Sequence, residues 1–77
     1  MVHAFIMVQT EAGASQSVCD AILDLDHIQE AHVVAGEYDV IAESDGDDVG
    51  DVLGTASNEI QALDAVVDTK TYISLSA

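Results

Sequence analysis

Val33-Val34-Ala35-Gly36-Glu37-Tyr38-Asp39-Val40-Ile41 is the stretch that decides how the chain folds. Apolar, β-branched residues flank a short connection that carries a glycine. That pattern predicts two antiparallel strands, 28–34 and 38–43, joined through Ala35-Gly36-Glu37. Upstream, Val18, Ala21, Ile22 and Leu25 fall at i, i+3, i+4 and i+7, the spacing of one helix face, with Ser15 or Ser17 as the cap. Downstream, Val49, Val52, Leu53, Ala56, Ile60 and Leu63 keep helical spacing over about four turns. Asp47 or Asp48 starts this second helix, where a negative charge complements the dipole. Gly50 and Gly54 each cost about 1 kcal/mol against alanine, so the helix relies on packing.

A strand predicted over 2–9 opens the chain, and one over 66–75 closes it. The last carries Val67, Thr69, Thr71, Ile73 and Leu75 on one side. The order is therefore β-α-β-β-α-β. Two right-handed crossovers joined by a hairpin predict an α+β, ferredoxin-like sandwich: a four-stranded antiparallel sheet with both helices on one face. No linker or composition shift divides it, so residues 1–77 are expected to form a single domain.

The first strand carries a second message. Val2, Ala4, Ile6 and Val8 line one side, while Phe5 and Met7 occupy the other. A strand apolar on both faces is covered on both. The chain's own helices cover one face only. A chain of 77 residues buries only about 60% of its unfolded surface, so a monomeric core is marginal. With one cysteine no internal disulfide compensates, which also fits a reducing compartment. The expected remedy is a homodimer or higher homo-oligomer. An alternative is that Phe5 and Met7 lie under a loop.

Charge excludes several partners. Fifteen Asp and Glu face one basic side chain, Lys70, for a net charge of −14. Nucleic-acid binding needs Lys and Arg to displace counterions, so direct contact with DNA or RNA is not expected. Anionic lipid is repelled for the same reason. The acids are spread along the chain, as in halophilic proteins whose acidic surfaces stay solvated in strong salt. No apolar run approaches the roughly 20 residues that span a bilayer, and the amino end lacks a basic signal start. A cytoplasmic protein is expected.

Catalytic and metal chemistry find little support. His3, His27 and His32 match no zinc spacing, although His3 and His32 become neighbours if their strands are adjacent. Asp45, Asp47, Asp48 and Asp51 resemble a calcium loop in composition alone. Cys19 lies beside the first helix stripe with nothing basic nearby, so it is read as a small buried hydrophobe. No acid–base set or cofactor pocket is evident, and neither an enzyme nor a cofactor or metal protein is expected.

The hairpin motif Gly36-Glu37-Tyr38-Asp39, with valines before it and an apolar strand after it, resembles the effector-binding (RAM) domain of the Lrp/AsnC family. The closing strand, Thr69-x-Thr71-x-Ile73, extends the resemblance over essentially the whole chain. It implies dimers formed through the sheets, larger rings of dimers, and a small effector, mostly an amino acid, bound between dimers near the hairpin. It also implies transcription regulation, which full-length members exert through an amino-terminal helix-turn-helix domain. This chain opens directly on its first strand, which implies a stand-alone version that senses a small molecule or co-assembles with full-length relatives. The family pattern carries over Gly36, Tyr38, Asp39, Thr69 and Thr71 as ligand-binding residues.

Physical chemistry is compatible with those assignments. Gly36 permits positive φ and a close backbone approach. Asp39 can accept hydrogen bonds from an α-ammonium, and Tyr38 can cover an aliphatic part. Plainer roles stand beside these: a turn glycine, interface packing for Tyr38, and for Asp39 a cap on its own hairpin or a pair with Lys70. For the threonines the plainer role is simple β-formation. An ACT-like domain shares the element order and also binds amino acids.

The acidity has a measurable consequence. Far-UV circular dichroism is expected to show the fold melting as salt is withdrawn, since self-repulsion is then unscreened. Equal stability in dilute buffer and in molar salt would contradict this.

Overall fold

The computed structural model describes residues 1–76, without the side chains of residues 55–57. Its elements are β1 (Val2–Thr10), α1 (Ser15–Leu23), β2 (Ile28–Val33), β3 (Val40–Gly46), α2 (Val49–Gly54) with a π-helical stretch Thr55–Ile60, and β4 (Val66–Ile73). The sheet order is β2-β3-β1-β4, and every neighbouring pair is antiparallel. This is the ferredoxin-like α+β sandwich that the element order predicts.

Alternation along the two central strands sets which face meets the helices. Ala4, Ile6, Val8, Val40 and Ala42 are fully buried on the helix side. Ile6, Val8, Val40 and Ala42 form one core with Val18, Cys19 and Ile22 of α1 and with Ile60. Cys19 is buried there, and desolvation followed by the charge of Asp20 pushes its thiol above the usual value. A raised thiol is a poor nucleophile, which suits a packing role.

The first helix start differs from expectation and the second follows it. Neither Ser15 nor Ser17 caps α1. The cap position is Ala14, which makes no side-chain bond, and the Ser17 hydroxyl donates back to the Ala14 carbonyl at 3.0 Å. At α2 the acids do cap: the Asp51 amide donates to Asp48 Oδ1 at 3.0 Å. The amides of Asp47 and Asp48 donate in return to Asp51 Oδ2, at 3.1 and 3.4 Å. This reciprocal bonding satisfies donors that the helix itself leaves open. Gly46 makes room for it, since a Cβ there would lie 2.8 Å from Asp51 Cβ.

The even stripe predicted for the second helix is broken. Val52 and Ile60 are fully buried, but Val49 and Leu53 are exposed; Ala56 lies outside the described side chains. Eight residues of α-helix advance about 2.2 turns, which would carry Ile60 away from the side of Val52. The wider π winding after Gly54 returns Ile60 to the sheet.

Both outer strands carry one extra residue. On β2, Ile28 pairs with Ser44 and Glu30 with Glu43, so Gln29 is the extra residue. On β4, Asp68 pairs with Gln9 and Val66 with Thr10, so Val67 is extra. The bulge resets the alternation. Val66 therefore packs against the core while Val67, expected on the same side as Thr69 and Thr71, is 60% exposed. β4 also ends at Ile73, short of the expected Leu75, which is exposed. Its last link is the Ser74 amide donating to His3 O at 2.8 Å.

Ser44 of β3 is fully buried, and its hydroxyl has no hydrogen-bond partner among the described residues. An unsatisfied buried hydroxyl costs about 1–3 kcal/mol. Ser44→Ala is therefore expected to raise stability by about 1 kcal/mol in urea unfolding. Ile22→Ala in the adjoining core is expected to lower it by roughly 2–5 kcal/mol. A loss of stability in Ser44→Ala would show that the hydroxyl is satisfied.

Candidate functional site

The hairpin connection is longer than the sequence suggests, running over residues 34–39 before β3 begins at Val40. Asp39 explains why the strand starts late. Its amide donates to Val8 O at 2.9 Å, its carbonyl accepts the Val34 amide at 2.8 Å, and its carboxylate accepts the Thr10 amide at 2.8 Å. Asp39 thus stitches the loop to the end of β1, using a side-chain oxygen where a strand would use a carbonyl. Gly36 is exposed at the tip with open space around it. It does not use positive φ; among the described glycines only Gly13 does, at 81°. The loop bends without it because six residues give a wider turn than a two-residue hairpin.

Tyr38 is half-buried, and its ring lies 6.0 Å from the ammonium of Lys70 on β4. Lys70 pairs in register with Met7, and Tyr72 with Phe5. Residues directly opposite in an antiparallel pair share a face. Lys70 and Tyr72 accordingly lie on the face away from the helices. Thr69 and Thr71 pair with Val8 and Ile6, so they face the helix layer. The Thr69 hydroxyl accepts a hydrogen bond from Gln61 Nε2 at 2.7 Å. The structure brings Gly36, Tyr38 and Asp39 together at one loop and sets the two threonines behind it, on the other side of the sheet.

The helix-free face carries Phe5, Met7 and Ile41, all half-buried, beside the exposed Tyr72. At its far end His3 joins two carboxylates: Nδ1 meets Asp45, and Nε2 lies 2.9 Å from Glu43 Oε1. The His3 ring also stands edge-on to Phe5, at 5.1 Å between centroids. His32 is not its neighbour. β3 runs between the strands that carry them, and His32 instead faces Glu30 at 3.2 Å. Met1, His3, Asp45, Ser74, Leu75 and Ser76 line a cleft of about 530 Å³ at this end. Met1 and Leu75 are almost fully exposed, so its walls enclose little.

The family pattern described as the Lrp/AsnC ligand binding domain matches residues 3–77. The chain belongs to the Lrp/AsnC ligand-binding domain family. The family is a regulatory ligand-binding domain of transcription regulators. Among solved structures, TTHA0845 of Thermus thermophilus has a TM-score of 0.94 at 27% identity, covering 100% of this chain and 96% of its own. AsnC of E. coli gives 0.89 at 25% identity, over 99% of this chain and 52% of AsnC, so this domain spans about half of that regulator. The transcriptional regulator NMB0573 of Neisseria meningitidis, solved with L-Met, gives 0.83 at 16% identity over 97% of this chain and 50% of its own. No curated protein matches this Lrp/AsnC domain by sequence. Among its described residues no helix is long and apolar enough to cross a membrane.

Two features of this Lrp/AsnC domain are not visible in its sequence. The His3–Asp45–Glu43 cluster joins β1 to β3 across 42 and 40 positions. Only the register brings them together. The sequence offers Lys70 as a partner for Asp39, whereas Asp39 is taken by Thr10 and Lys70 lies against Tyr38. Its scarcity is the available signal, since it is the one Lys or Arg in the chain.

Hydrogen bonds to Asp45 and then Glu43 raise the His3 pKa above its usual value. The folded state therefore holds the proton more tightly than the unfolded chain. The added stability is complete below the unfolded value near 6.5 and disappears as pH rises through the raised folded value. His3→Gln is expected to lower the melting temperature at pH 6 more than at pH 9. An equal loss at both would show that the charge of His3 contributes nothing.

Proposed function

We propose that the chain is a stand-alone regulatory module. It binds a small effector, an amino acid, where copies of the chain meet, and thereby modulates transcription indirectly. Residues 1–77 act as its single ligand-binding domain. The match to the Lrp/AsnC ligand binding domain over residues 3–77 carries this reading. The L-Met in the Neisseria meningitidis regulator supports an amino acid as the ligand class.

Each proposed residue has a task in this reading. Gly36 leaves the loop tip open to a ligand. Asp39 spends one carboxylate oxygen on the Thr10 amide, and the other remains an acceptor for an α-ammonium. Tyr38 covers the aliphatic part. Thr69 and Thr71 back the site from the helix side. A second copy covers Phe5, Met7, Ile41 and Tyr72, forming a homodimer or a higher assembly. The working location is the cytoplasm, and the acidic surface suits an interior rich in salt.

A second reading has its own support. The domain matches about half of E. coli AsnC, which fits a ligand-free interaction protein that co-assembles with full-length DNA-binding relatives. Calorimetry with the common amino acids, beside light scattering with and without each, separates the two. The effector reading expects heat from at least one amino acid and a change in assembly size. Silence across the panel at millimolar concentration would leave co-assembly, which predicts recovery of a full-length relative in a pull-down from native lysate.

A further inference from the structure

Fifteen carboxylate side chains share this chain with a single Lys or Arg. Cations that scarce are expected to be surrounded by acids. Lys70 is exposed, yet among the described residues no carboxylate lies within ion-pair distance of its ammonium. It rests instead beside the Tyr38 ring, at 6.0 Å from the centroid. The Tyr38 hydroxyl is the chief cause that raises the Lys70 pKa above its usual value. An aromatic face attracts a cation without using up its hydrogen-bond donors on an acid. The ammonium stands beside the ring and still has donors to give.

Any carboxylate that approaches a surface of net charge −14 is repelled almost everywhere. At the hairpin end it meets the chain's one Lys or Arg. We propose that Lys70 binds the carboxylate of the amino-acid effector, with Tyr38 as the residue that positions its ammonium. This rests on the effector-binding reading above and adds the anionic half of ligand recognition to it. Asp68 lies two positions back on the same side of β4, roughly 6.6 Å along the strand, and Glu37 adds its charge from the loop. Both repel a second carboxylate.

The experiment uses the full chain in molar salt. L-methionine and L-methioninamide are titrated first, then the other common amino acids with their carboxamides. Calorimetry is read beside the 13C signal of the lysine ε-methylene, which is unique in this chain. The expected result is that an acid binds, its amide binds at least tenfold more weakly, and the Lys70 signal moves with the acid. Lys70→Met is expected to weaken binding by about ten- to a hundredfold and to remove the preference for acid over amide, with Lys70→Arg recovering part of the affinity. The side chain is exposed, so circular dichroism of Lys70→Met should match the wild type. Wild-type affinity and preference in Lys70→Met, with an unmoved Lys70 signal, would overturn this role while effector binding stands. Silence of the wild type across every acid would overturn effector binding itself, and the role of Lys70 with it.

Discussion

The structure depends on a central strand with two apolar faces and cover for only one. β1 is flanked by β3 and β4, and it buries Ala4, Ile6 and Val8 completely beneath the helices. On its other face Phe5 and Met7 are only half-buried. Apolar surface left in water forfeits about 25 cal/mol for each Å². A chain this small has little stability to spare. Cover for that face is therefore where the chain has most stability to gain.

Asp39 shows how one residue can close a ladder and hold a loop at once. Its backbone and one carboxylate oxygen finish the ladder to β1, which fixes the loop that carries Gly36 and Tyr38. Such a loop is rigid at its root and open at its tip. Tyr38 of the same loop is half-buried, and its ring lies 6.0 Å from the ammonium of the only lysine. Charge is handled locally at the two ends of the face. His3 meets its carboxylates directly, whereas Lys70 rests against an aromatic ring.

Much of the fold is legible because period and composition agree. The alternation of Ala4, Ile6 and Val8, the Val18–Ile22 stripe and the Val-rich hairpin all point to the sandwich that forms. Local detail is less legible where backbone geometry departs from an ideal period. Val67 lies outside because a bulge shifts the alternation, and Leu53 is exposed because the second helix changes its winding. The cap at Ala14 is hidden because Ser15 and Ser17 advertise capping chemistry that the chain does not use. At the site, the loop residues are legible as a motif. Long-range partners such as His3 with Asp45, or Tyr38 with Lys70, exist only once the strands are in register.

Both extra residues fall on the outermost strands, Gln29 on β2 and Val67 on β4, while the β1–β3 pairing is regular throughout. An outer strand offers unpaired amides and carbonyls to any passing chain. A bulge twists that template out of line, and charged neighbours repel what remains. Endless sheet extension from molecule to molecule is thereby blocked at either border. The flat helix-free face of Phe5, Met7, Ile41 and Tyr72 is left as the apolar surface open to a partner, and covering a face, unlike extending an edge, does not propagate from molecule to molecule.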